Sequence, residues 1–153
     1  MQITFISYFL ASIIAYLGLL LGVILIKLSP EEQKPGKKYF ILLKQILFVL
    51  ILIPLLYYFK INLILSVVLL SIVIALIIKR KVKFERNTII YFILAIIFYL
   101  SSRIPDLLII ESVLIFLYGI PTSSLILKKN NYLKIFFNNL WFFIPIILLY
   151  FIL

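Results

Sequence analysis

Long apolar runs alternate with short basic segments along this chain. The six runs cover residues 3–26, 39–59, 61–78, 88–102, 104–127 and 135–153. About 20 apolar residues are enough for a helix to cross the hydrocarbon core of a bilayer. Within lipid each backbone group must be paired, which favours helices over the strands that many Ile and Val residues would form in water. The pattern predicts a single all-α domain, a polytopic membrane bundle of about six transmembrane helices.

The six runs differ in length and purity. The fourth is short, and the sixth carries Asn138 and Asn139 near its start. If the fourth run does not cross, the number of spans falls to five and the C-terminus changes side. In the first loop, Ser29 followed by Pro30 predicts the start of a short interfacial helix, which the Pro35-Gly36 pair is expected to end.

The composition excludes most soluble classes of protein. Hydrophobic residues make up 66% of the chain, against roughly 45–50% in a typical soluble domain. The net charge of +10 resides in short clusters between apolar runs, which is typical of membrane loops and not of a nucleic-acid-binding surface. The chain has no Cys and no His, so Cys/His metal sites, haem ligation through those residues and a His-based triad are excluded. We therefore expect no cofactor, no metal and no nucleic-acid partner.

The distribution of Lys and Arg residues predicts the orientation of the protein in the membrane. Thirteen of the fifteen Lys and Arg residues lie in or beside the odd-numbered loops, and the even-numbered loops hold only Lys60 and Arg103. Cytoplasmic loops carry an excess of Lys and Arg. We therefore expect the odd loops in the cytoplasm and both termini on the extracytoplasmic side of a multi-pass cell-membrane protein.

A carboxylate inside the fifth run is the strongest candidate for a functional group. Glu111 lies on the order of 10 Å below the outer end of that run, given a rise of about 1.5 Å per residue. Tyr118 and Thr122 follow it on one helical stripe, and Ser112 begins a neighbouring stripe of small residues. Intramembrane carboxylates mark ion or proton pathways, although a Glu hydrogen-bonded to a neighbouring helix is an equally ordinary structural explanation.

Other positions predict packing and surface contacts. Gly18 and Gly22 form a G-x-x-x-G pair, and with Gly119 they predict close helix packing within the chain, or between copies of it. Arg103 and Asp106 are spaced to form an ion pair at the outer face. A basic loop made of Lys79, Arg80, Lys81, Lys83 and Arg86 is a candidate for contacts with anionic lipid at the cytoplasmic face.

Motifs for catalysis are absent from the sequence. It has no Walker A loop, no G-x-S-x-G elbow and no pair of intramembrane aspartates, so we expect no enzyme. The first hypothesis is a small transporter, channel or lipid-translocating protein with its polar centre around Glu111. The second is a non-catalytic subunit or assembly protein that packs against a membrane partner or a copy of itself.

Overall fold

The protein forms six α-helices in the computed structural model, which describes residues 4–78, 87–126, 137 and 139–152, without the side chains of 32–34, 87, 88 and 126. The helices are α1 (Phe5–Leu28), α2 (Gln33–Tyr58), α3 (Leu63–Ile78), α4 (Asn87–Ser101), α5 (Pro105–Ile126) and α6 (Phe143–Ile152). Single 3-10 turns, Pro30–Glu32 and Leu140–Phe142, precede α2 and α6. The prediction of an all-α protein is confirmed.

Within the described ranges, three helices are long and apolar enough to cross a membrane. They are Phe5–Leu28, Pro35–Tyr58 and Pro105–Leu125. Each of these segments has at least 21 residues, which at about 1.5 Å per residue matches a hydrocarbon core of roughly 30 Å. The other apolar helices, Leu63–Ile78, Ile89–Ser101 and Leu140–Ile152, are shorter.

The first loop differs from its prediction. Only Ser29 and the 3-10 turn Pro30–Glu32 separate α1 from α2, and α2 continues through Pro35 and Gly36 without a break. Pro35 lies in the first turn of α2, where a backbone N–H has no intrahelical acceptor, so the missing donor costs little. The Pro35-Gly36 pair therefore does not end a separate interfacial helix.

Helix α5 lies at the centre of the bundle, where it contacts α1, α2 and α4. Its contact with α1 is the most extensive in the structure. Gly18 of α1 lies against the backbone of Phe116, and Gly22, one turn later, lies against Ile120 and Ser123. Since the partner position advances as α1 advances, α1 and α5 run parallel.

The three glycines make this approach possible. A Cβ added to Gly119 would lie 2.6 Å from the Gly18 carbonyl carbon, and one added to Gly18 would overlap the Phe116 carbonyl. Small residues let two helix backbones meet in lipid, where van der Waals contact replaces the hydrophobic effect as the driving force. Gly18, Gly22 and Gly119 thus all lie at one contact within the chain.

Helix α6 runs antiparallel to α1. The Tyr16 ring lies 5.9 Å from Phe142 at the start of this segment, whereas Phe5 lies 5.0 Å from Tyr150 near its end. Tyr8, between these two levels, donates a hydrogen bond from its hydroxyl to the Ile146 carbonyl at 3.5 Å. The first described turn of the chain and its last are therefore neighbours.

Helix α3 stands apart from this arrangement. Its substantial contacts in the described structure are with α2 alone, and Ile77 is its only buried residue. The rest of the helix consists of Leu, Ile, Val, Ser and one Ala. Large apolar side chains are exposed on the outside of the other helices as well, as expected where lipid covers the surface.

We predict that Gly18→Ala destabilises the protein, whereas Gly36→Ala does not. The new methyl group at position 18 meets the backbone of Phe116, which cannot move without separating α1 from α5; such overpacking costs about 1–3 kcal/mol. At position 36 it meets only the Phe40 ring, 2.9 Å away at Cε2, and alanine favours a helix over glycine by about 1 kcal/mol. Thermal unfolding in detergent distinguishes the two, and an unchanged midpoint for Gly18→Ala would contradict the close crossing.

Candidate functional site

Glu111 lies in the interior of the bundle. Its side chain is fully buried on α5, and neither carboxylate oxygen has a hydrogen-bond partner among the described residues. A buried carboxylate without a partner is costly in an apolar interior. The carboxylate is therefore turned into the bundle, and none of the described residues supplies the hydrogen bond that a purely structural role would provide.

The stripe that follows Glu111 is buried as well. Ile115, Tyr118 and Thr122 are all fully buried. The Thr122 hydroxyl donates to the Tyr118 carbonyl at 2.8 Å, one turn back. Ser112 is half-buried and donates to the Leu108 carbonyl at 2.6 Å, so its hydroxyl is used by its own helix. Of the predicted polar residues, Glu111, Tyr118 and Thr122 face the interior.

Tyr91 links Tyr118 to aromatic residues from two other parts of the chain. Its ring lies 6.0 Å from that of Tyr91 on α4, and Tyr91 lies 6.3 Å from Tyr16 on α1 and 6.0 Å from Phe142. The hydroxyls of Tyr91 and Tyr118 have Thr122 as a polar neighbour, but neither makes a well-formed hydrogen bond with a described residue. We call Tyr16, Tyr91, Tyr118 and Phe142 the aromatic cluster.

Lys44 belongs to this interior, which sequence reasoning missed. It is one of the thirteen cations that the topology prediction assigns to the odd-numbered loops. In the structure it is fully buried on α2, with its Nζ atom 5.5 Å from the centre of the Tyr118 ring. The available signal was the position of Lys44 inside the second apolar run. Its closeness to the first loop suggested a loop cation instead. A cation above an aromatic face is attracted by the ring quadrupole, more strongly when water is excluded.

The interior thus has two polar levels along α5. Glu111 and Tyr118 are seven residues apart on one face, which is about 10 Å along the helix axis. Lys44 lies at the Tyr118 level. The Glu111 level offers a carboxylate to a proton or a cation. The Tyr118 level offers hydroxyls, aromatic faces and an ammonium group.

The remaining predicted residues lie elsewhere. Arg103 and Asp106 are both exposed around the α4–α5 turn, and in this described part of the chain no ion pair joins them. Lys79, Arg80, Lys81, Lys83 and Arg86 lie outside the described residues. Among the described residues, no group of three or more Asp or Glu side chains could hold a metal ion.

Comparisons with known proteins add no name to this site. The sequence matches no family model, no curated protein and no solved structure.

We predict that Tyr118→Phe leaves the fold as stable as before or slightly more stable. The lost hydroxyl is buried without a well-formed hydrogen bond to a described residue, so its removal relieves a desolvation cost without breaking a bond. Tyr8→Phe is the matched control, because that hydroxyl donates to Ile146 and its loss is expected to cost about 1 kcal/mol. If thermal unfolding shows the larger loss for Tyr118→Phe, the hydroxyl has a partner in the folded protein.

Proposed function

We propose that this chain is a small multi-pass membrane transporter or channel in which Glu111 holds the transported proton or small cation. The supporting observation is the fully buried Glu111 carboxylate, both of whose oxygens lack a partner among the described residues. Ionisable groups within membrane helices usually serve ion pathways or proton relays. The position of Glu111 on the central helix also suits a group that several helices can gate.

The direction of the helices supports a topology of six spans with both termini extracytoplasmic. Because α1 and α5 are parallel, the chain must return to its starting side between them, and α3 and α4 must either both cross or both stay on one side. Helix α6 is antiparallel to α1 and ends beside Phe5. Together with the cations of the odd loops, this supports six crossings in a cell membrane with the cation-poor turns outside.

A membrane subunit or assembly protein is the second candidate, and α3 is the observation that favours it. Its exposed apolar surface could pack against a partner protein or a second copy of the chain. However, the small residues best suited to a close helix interface, Gly18, Gly22 and Gly119, are already used within the chain. Lipid covers a Leu- and Ile-rich helix equally well, so the transport hypothesis explains more of the structure.

We predict that Glu111→Gln abolishes cation movement without unfolding the protein. The amide has nearly the same shape as the carboxylic acid but neither releases a proton nor neutralises a cation. The measurement uses liposomes that contain the purified chain and a trapped pH-sensitive dye, with a membrane potential imposed by a potassium gradient and valinomycin. Na⁺ flux is measured in parallel.

Asp106→Asn is the matched control for this experiment, because Asp106 is an exposed carboxylate on the same helix. It is expected to retain the wild-type flux. Equal proton and Na⁺ fluxes in wild type and Glu111→Gln, or no flux of either cation in wild type, would overturn the proposal.

The topology has its own prediction. Since the chain has no cysteine, single cysteines can be introduced without a background. We expect Arg103→Cys to react with a membrane-impermeant maleimide on intact cells, and Lys38→Cys to react only after the cells are opened. Both positions are exposed, so unequal burial would not explain the difference. Reaction of both from the same side would show that the orientation is wrong.

A further inference from the structure

A groove opens between the end of α2 and the beginning of α3. Its volume is about 450 Å³, within the range of roughly 300–1,000 Å³ that is typical of small-molecule sites. Its lining is mainly aliphatic, with Lys60 as its charged member and Tyr57 and Ser66 as its hydroxyl members. Since α2 and α3 each follow the groove for about two turns, it extends on the order of 10 Å from the turn.

The turn at the mouth of the groove has the hydrogen bonds of a Schellman motif. The Lys60 N–H donates to the Tyr57 carbonyl at 3.0 Å, and the Ile61 N–H donates to the Leu56 carbonyl at 3.2 Å. These are the two bonds that close a helix on a residue in the left-handed region. Lys60 is that residue, with φ of 51°.

Lysine is an unusual residue at this position. Glycine is common there because it adopts positive φ without steric cost, and asparagine tolerates it better than most residues. Lys60 is the only non-glycine residue with positive φ among those that the structure describes. The backbone motif therefore does not explain the choice of a long cationic side chain.

The orientation of the chain does not explain Lys60 either. Under the proposed topology, the α2–α3 turn lies on the extracytoplasmic side, where Lys60 and Arg103 are the only loop cations. The positive-inside bias disfavours a cation at that position. Lys60 is exposed and forms no ion pair with a residue in the described ranges, so its ammonium group is available to an anion outside the protein.

We propose that the α2–α3 groove binds a phospholipid, with the phosphate at Lys60 and the upper part of an acyl chain along the apolar lining. In the proposed topology the α2–α3 turn lies at the membrane surface, where the lipid phosphates are, and an ammonium–phosphate contact supplies a charge-assisted hydrogen bond. Each methylene group of the lipid that is buried in the groove adds hydrophobic contact, which free inorganic phosphate cannot provide. This site is separate from Glu111 and goes beyond the proposed transport function.

The test is a titration of the purified full-length protein in mild detergent with phosphatidylglycerol, with bound lipid counted by native mass spectrometry. Wild type is expected to retain one phospholipid. Lys60→Asn removes the cation but suits the left-handed backbone, and it is expected to bind about tenfold more weakly, which corresponds to one lost charge-assisted contact. Lys60→Arg is expected to bind as wild type does.

Three further variants distinguish the contribution of the groove from that of the charge. Ser66→Phe keeps Lys60 but fills the groove, and is expected to lose most of the lipid. Arg103→Gln removes the other extracytoplasmic loop cation and is expected to have no effect. Glu111→Gln should also retain the lipid, so the outcome is independent of the flux experiment.

The proposal is overturned if Lys60→Asn binds the lipid as tightly as wild type while its thermal unfolding is unchanged. It is also overturned if Ser66→Phe has no effect and millimolar inorganic phosphate displaces the lipid, because an exposed lysine would then bind phosphate without the groove. If Lys60→Asn unfolds, Lys60→Gly replaces it, since glycine fits the Schellman position without strain.

Discussion

The approach of α1 to α5 at Gly18, Gly22 and Gly119 is the contact on which the rest of the bundle depends. In lipid, helices gain little from hiding apolar surface from each other, so association requires close packing over a long contact. Three glycines provide that contact by bringing backbone against backbone. Because α1 and α5 are parallel and adjacent, α2 and α4 pack around α5, and α6 lies beside α1 and α4.

This arrangement determines which polar groups the interior must accommodate. The buried serine and threonine hydroxyls of Ser101, Thr122 and Ser123 form hydrogen bonds within their own helices. Each donates to the carbonyl four residues earlier. Such bonds satisfy a donor in lipid without a partner helix. A carboxylate has no equivalent local solution, since its oxygens accept and the helix N–H groups are already used. Glu111 is therefore an interior ionisable group whose presence the fold alone does not explain.

At the edge of the bundle, packing is much looser than at its centre. Helix α3 is held mainly by α2, so its position depends on the tight turn at Lys60 and on the Asn62 side chain, which accepts from the Ile64 N–H at 3.0 Å. Weak packing of α3 leaves the groove beside α2. The same feature thus creates both the most lipid-exposed helix and the proposed phospholipid site, whereas the tightly packed centre holds Glu111 and the aromatic cluster.

The sequence by itself determined the all-α class, the approximate helix positions and the burial of Glu111, because hydrophobic run length and the cost of intramembrane charge are local properties. It also identified the glycines that make a close contact. It did not reveal that Lys44 lies over Tyr118, that Tyr91 joins them from α4, or that α2 continues through Pro35 and Gly36. Those depend on which helices are neighbours and on the direction in which each runs. In runs that are apolar on every face, periodicity carries almost no information about partners, so only the tertiary structure decided them.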